Sequence, residues 1–114
     1  MQVQYLEIVT NDVDAVCAAY TAASGLRFTE PDVGLGNART SLLPAGGMVG
    51  VRAPMHETES PTVRPYWLVP DIEAAVAAVV AAGAEIAHPP LEIPGRGTFA
   101  IYILGGVQHG LWQL

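Results

Sequence analysis

The feature that most constrains this chain is that it aligns with itself. A shift of 59 positions, without a gap, places Asp12 on Asp71, Ala15 on Ala74, Pro31 on Pro90, Gly36 on Gly95 and Gly46-Gly47 on Gly105-Gly106. Alanine coincidences come cheaply in an alanine-rich chain, but one constant offset through the aspartate, the proline and the paired glycines does not. Self-similarity at a fixed period marks a repeated supersecondary unit. The chain therefore reads as a single domain, residues 1–114, made of two repeats at about 1–57 and 60–114. Met55–Thr62, with two glutamates, a serine and a proline, reads as the linker.

Each repeat carries the same punctuation. Val3–Val9 is rich in β-formers and reads as a strand. Asn11 or Asp12 is placed to cap a helix over Val13–Ser24, whose Val13, Val16, Cys17 and Tyr20 recur at helical spacing, and Gly25 stops it. Leu26–Glu30 starts another strand, and the glycines at 34, 36, 46 and 47 mark turns between two more. In the second repeat Pro65–Val69 is the first strand and Asp71 the helix cap. Ile72, Ala75, Val76, Val79 and Val80 form the helix face and Gly83 its stop. Glu85–Ala87, Phe99–Ile103 and Gln108–Gln113 are the closing strands. The unit is strand, helix, strand, strand, strand, used twice.

Composition narrows the chemistry. In 114 residues, 51% hydrophobic and 14% charged content supplies a core and argues against disorder. Eleven acids against five bases give a net charge of -6, a poor match for nucleic acid or an anionic membrane. All five bases are arginine, so Schiff-base chemistry and a P-loop, which need a lysine amine, are excluded. The single cysteine, Cys17, allows no intramolecular disulfide and no C-x-x-C motif. No signal peptide or apolar run of membrane-spanning length is present, so a cytoplasmic location is expected.

Two tandem βαβββ units resemble the vicinal oxygen chelate superfamily, which includes glyoxalase I, bleomycin- and fosfomycin-resistance proteins and extradiol dioxygenases. The residues that carry the resemblance are Leu6–Asp12 with Ala19-Tyr20, Tyr66–Ala75, Gly95-Arg96-Gly97 and Gly106–Trp112. The resemblance implies an α+β fold, with the two modules forming a curved mixed sheet and the helices on its convex side. It also implies a homodimer and a cavity on the concave face. In that superfamily a divalent ion is held by one His or Glu from the first strand and one from the last strand of each module. The first-strand ligand stands seven residues before the capping aspartate, which lands on Tyr5 and Arg64. The last-strand position lands on Gly110 and, by the same offset, on Val51. Tyrosine, valine, arginine and glycine are no ligand set for a hard divalent ion, so no metal and no other cofactor is expected.

The remaining chemistry is sparse. His56 falls in the linker and His88 in a proline-flanked turn, where solvation is the ordinary role. His109 falls opposite the face of Gly110, where a packed edge residue is commoner than a base. Cys17 reads as a buried inert thiol, and Ser24, Ser41 and Ser60 lack a nucleophile-elbow context. Glu7 shares the face of Tyr5. It is the one candidate general base, against the commoner role of a rim carboxylate paired with Arg64 or Arg96. Arg64 and Tyr66 share the equivalent face of the second module, Trp112 joins Gly110 there, and Trp67 points into the core. Tyr5, Glu7, Arg64, Tyr66 and Trp112 thus line a cavity suited to an organic anion or a flat ring. The expected function is metal-free small-molecule binding of the glyoxalase/bleomycin-resistance type. The alternative is a superfamily lyase or isomerase that has relocated its catalytic residues.

Overall fold

The computed structural model describes all 114 residues. Its elements are β1 (Val3–Val9), α1 (Val13–Ser24), a 3-10 turn (Val33–Leu35), β2 (Arg39–Leu42), β3 (Met48–Arg52), β4 (Thr62–Leu68), α2 (Ile72–Ala81), β5 (Glu85–Ile93), β6 (Gly97–Leu104) and β7 (Val107–Gln113). No helix is long and apolar enough to cross a membrane. The chain forms two compact units, Tyr5–Val63, and Arg64–Leu114 together with Met1–Gln4. The amino-terminal residues join the second unit through the Leu68 N–H, which donates to the Gln2 carbonyl at 2.8 Å.

In the unit of residues 5–63, β1 runs parallel to β3 and β2 antiparallel to β3. Ile8, Cys17, Val49 and Val51 form its buried core, with Leu6, Val13, Val16 and Phe28 packed around them. β1 and β3 thus turn alternate residues toward α1, as strand periodicity requires. Tyr20 sits at the margin of that helix face, 39% exposed, with its ring centroid 6.3 Å from Phe28. Gly25 adopts φ 74°, and its N–H closes the helix on the Thr21 carbonyl. The aspartate expected to cap α1 does not do so: Asp12 makes no side-chain cap bond. Instead its own N–H donates to Thr10 Oγ1 at 3.1 Å.

The strand expected over Leu26–Glu30 is irregular. Thr29 alone carries it: its N–H donates to the Thr40 carbonyl at 2.8 Å. Its Oγ1 accepts from Thr40 N–H at 3.1 Å, and its carbonyl accepts from Arg39 Nε at 3.0 Å. Side-chain bonds stand in for a regular ladder, and past Pro31, which has no N–H, pairing resumes only as the single Asp32–Ala38 bridge.

In the second unit the strand order is β4-β7-β6-β5, parallel between β4 and β7 and antiparallel elsewhere. Ile72, Ala100, Tyr102 and Leu111 form the core under α2, joined by Trp67, Val76 and Val79. Val80, expected on the helix face, is 49% exposed. Asp71 caps α2 by accepting from Ala74 N–H at 3.1 Å, and Gln113 Oε1 accepts from Ile72 N–H at 2.8 Å. β5 runs on through Pro89-Pro90, where sequence reading ends it at Ala87. Two register shifts against β6 absorb the prolines. As an end strand of the sheet, with that break in its pairing, β5 tolerates residues that lack an N–H. The α+β class and the βαβββ plan hold, with the second strand of the first module reduced to the Thr29 bonds and the Asp32–Ala38 bridge.

Candidate functional site

Strand alternation puts two sets of side chains on the sheet faces turned away from the helices, one in each unit. In the unit of residues 5–63 the set begins with Tyr5 and Glu7 on β1. Register places Glu7 beside Gly50 and Val9 beside Arg52. The Tyr5 ring is buried and lies over Gly50, where a Cβ would overlap its hydroxyl.

Glu7 pairs with Arg52, a partner that sequence reading did not name. Arg52 Nε donates to Glu7 Oε2 at 2.8 Å, while Nη1 and Nη2 grip Glu59 at 2.8 and 2.7 Å. The side chains are 4% exposed for Arg52, 8% for Glu7 and 15% for Glu59. The bonds to Glu59 first, and then Glu7, hold the guanidinium above its already high ordinary pKa, against the opposing effect of burial. Arg52 is a permanent cation. Glu59 Oε1 also accepts from Met55 N–H at 2.8 Å, which ties the segment after β3 to this ion cluster. Glu7, read as a candidate base, thus spends one oxygen on a charge-assisted structural bond.

In the second unit the set is Arg64 and Tyr66 on β4, Phe99 on β6, and Gly110 and Trp112 on β7. Tyr66 pairs in register with Gly110, and its buried ring lies over that glycine, where a Cβ would collide with the root of the ring. Trp112 meets Tyr66 edge-on with centroids 5.7 Å apart, and Phe99 meets it at 6.2 Å. Trp112 Nε1 donates to the Arg96 carbonyl at 3.1 Å. Arg64 is buried, yet its Nη2 donates at 2.7 Å to Oε1 of Gln108, an exposed residue. Nη1 reaches Tyr66 Oη at 3.4 Å.

The structure therefore brings Tyr5 with Glu7, and Arg64 with Tyr66 and Trp112. Sequence reading missed Arg52, Glu59, Gln108 and Phe99. Arg52 had a visible signal, since it lies two residues beyond Gly50 on a strand beside the one acidic residue of β1. His88 is corrected as well: it lies in β5, half-buried, stacked on Phe99 at 4.8 Å. His109 packs on Tyr102 at 5.1 Å, on the face opposite Gly110. His56 stays in the exposed linker, bonded to Thr58.

The position assigned to Val51 is also corrected. Val51 belongs to the helix-side core. Tyr66 pairs with Gly110 and Glu7 with Gly50, so Gly50 is the counterpart of Gly110. The gapless offset slips by one because two residues separate Gly47 from Gly50 and three separate Gly106 from Gly110. The corrected quartet is Tyr5, Gly50, Arg64 and Gly110. It supplies one phenol, one fixed cation and two glycines, each glycine lying beneath a tyrosine ring. No group of three or more His, Cys, Asp or Glu side chains is arranged to hold a metal elsewhere. These residues do not fit the divalent ion of the superfamily.

No protein-family profile and no curated protein matches this chain in sequence. Solved structures match it in shape. Methylmalonyl-CoA epimerase from Mycobacterium tuberculosis is similar with a TM-score of 0.78 at 14% identity, over 97% of this chain and 86% of that one. A variant of Streptomyces coelicolor methylmalonyl-CoA epimerase in complex with 2-nitronate-propionyl-CoA gives 0.72 at 16% identity, over 99% and 96%. A hypothetical protein from Bacillus halodurans C-125 gives 0.74 at 12% identity, over 99% and 94%. Identities this low carry the fold and not the activity. With two helix-backed βαβββ modules and near-complete overlap with these structures, the chain has the fold of the vicinal oxygen chelate superfamily.

Proposed function

We propose that this chain is a metal-independent small-molecule binding protein whose ligand, an organic anion with a flat or aromatic body, is held by Arg64, Tyr66 and Trp112. The observation that supports the reading is a buried guanidinium that donates at 2.7 Å to an exposed amide, Gln108, and reaches Tyr66 Oη at 3.4 Å, with the Phe99 and Trp112 rings packed on Tyr66. A carboxylate outcompetes a neutral amide for a guanidinium, because charge-assisted bonds are roughly twice as strong. The ligand thus displaces the exposed Gln108 side chain and takes a planar, two-pronged bond that arginine is shaped to give. The Tyr66, Phe99 and Trp112 rings supply the apolar surface that fixes its orientation. On this reading Tyr5 and Glu7 serve the architecture of their own unit, over Gly50 and on Arg52.

The test is a fluorescence and calorimetric titration with benzoate-type carboxylates and their amides, with Trp67→Phe leaving Trp112 as the reporter. The carboxylates should bind at least about tenfold more tightly than the amides, and Arg64→Gln should erase that preference. Chelator should change nothing. Equal binding of acid and amide contradicts the assignment.

A second reading, a superfamily lyase or isomerase with relocated catalytic residues, is favoured by the comparisons. Several of the similar structures are methylmalonyl-CoA epimerases, one of them in complex with methylmalonyl-CoA. Deuterium exchange into the α-carbon of methylmalonyl-CoA, followed by proton NMR without added metal, separates the two. Catalysed exchange supports the enzyme, and a bound but unexchanged thioester supports the binder.

A further inference from the structure

The unit of residues 5–63 carries a groove of about 580 Å³ that shares no residue with the Tyr5, Glu7 and Arg52 set. That volume is in the range of pockets for small organic molecules, about 300–1,000 Å³. Its polar end is a salt bridge with capacity left on both partners. Arg39 Nη1 donates to Asp14 Oδ1 at 2.8 Å, and Nε donates to the Thr29 carbonyl at 3.0 Å. The guanidinium is thereby fixed from behind, while Nη2 donates to no group of the protein. The side chains are 25% exposed for Arg39 and 89% for Asp14, whose second oxygen faces solvent.

Beside them stands Asn37, the one non-glycine residue with positive φ, at 64°. Its N–H donates to the Asp32 carbonyl at 2.9 Å, so its exposed amide is presented by a braced loop. The walls of the groove are apolar: Val13, Pro31, Pro54 and Met55.

A simple anion at this end is repelled by Asp14, and a simple cation by Arg39. The complement of two fixed opposite charges side by side is a molecule that carries both. We propose that the groove binds a free α-amino acid with an apolar side chain. Its carboxylate takes Arg39 Nη2 and the Asn37 amide, and its ammonium takes the open oxygen of Asp14. Its side chain lies between Val13, Pro31, Pro54 and Met55, and the flexible Met55 thioether adapts to aliphatic shapes. This site is independent of the one built on Arg64.

The experiment is a two-dimensional proton–nitrogen NMR titration of the full chain with L-leucine, leucinamide and N-acetyl-leucine. Leucine should give saturable shifts at Val13, Asp14, Asn37, Arg39 and Met55. Each blocked analogue, lacking one charge, should bind about tenfold or more weakly. Asp14→Asn and Asn37→Gly should each weaken leucine by a similar factor without lowering the melting temperature. Asp14 is exposed, and glycine keeps the left-handed backbone of position 37. The proposal is overturned if leucine gives no saturable shift at tens of millimolar. It is equally overturned if the shifts map elsewhere, or if the blocked analogues and both variants bind as leucine binds the wild type.

Discussion

Replacing Gly110 with alanine probes the packing of the Tyr66 ring over β7. Gly110 lies in β7 with ordinary strand geometry, so alanine there meets no backbone strain and gains about 0.5–1 kcal/mol over glycine in chain entropy. Against that gain, the new Cβ collides with Cγ, Cδ2 and Cε2 of Tyr66. Those atoms include the root of the ring, so no rotation of the ring tip relieves them, and Trp112 and Phe99 hold its sides. Overpacking of this kind costs about 1–3 kcal/mol, and rigid surroundings put Gly110→Ala at the top of that range. The net is about 2 kcal/mol, or a fall of roughly 6–12 °C in Tm at this chain length. A double-mutant cycle isolates the cause. Tyr66→Ala alone removes a buried ring and costs about 3–5 kcal/mol. In that background Gly110→Ala should cost nothing or stabilise slightly, giving a coupling energy of about 2–3 kcal/mol. Thermal and urea unfolding of the four proteins measures it. A Gly110→Ala protein as stable as wild type, or equally destabilised with and without the Tyr66 ring, refutes the reasoning.

Gly50→Ala should cost less than Gly110→Ala, because its Cβ meets chiefly the far end of the Tyr5 ring, and a small rotation moves that hydroxyl most; urea midpoints compare the two. Arg52→Gln leaves the buried Glu7 and the partly buried Glu59 carboxylates without their cation and should destabilise by about 3–5 kcal/mol, while freeing Met55 and its neighbours to faster amide exchange. Burial pushes the Cys17 thiol above its ordinary value of 9.0 and the Tyr102 phenol above 10.0. Above pH 9 the unfolded chain therefore sheds protons that the folded chain keeps, so stability should fall as pH rises. Cys17→Ala should flatten the first part of that decline. The same burial should keep Cys17 unreactive toward iodoacetamide until the protein unfolds.

Much of the fold was legible because repetition, caps and stops are local signals. Val3–Val9 and Val13–Ser24 have the bounds that their β-branched and helical patterns predict, and Asp71 and Gly25 act where their chemistry places them. Strand alternation alone put Tyr66 with Trp112 and turned Trp67 to the core. What escaped was non-local. The ring over Gly50, in place of Val51, depends on one residue fewer after a glycine turn, which no pattern reveals. The Arg52, Glu7 and Glu59 cluster joins residues up to 52 positions apart through pairing of β1 with β3 and the path of the following segment. His88 looked like a turn residue because prolines argue against a strand, and an end strand with shifted register is where that argument fails.

Tyr5 and Tyr66 lie over Gly50 and Gly110, and the proposed binding without a divalent ion is most directly open to test. The direct measurement is calorimetric titration of chelator-treated protein with nickel, cobalt, zinc and manganese, paired with metal analysis of the protein as purified. The expected result is no stoichiometric metal, no saturable heat and a Tm that neither metal nor chelator moves. About one equivalent of tightly held ion, with a Tm that rises on loading, contradicts it.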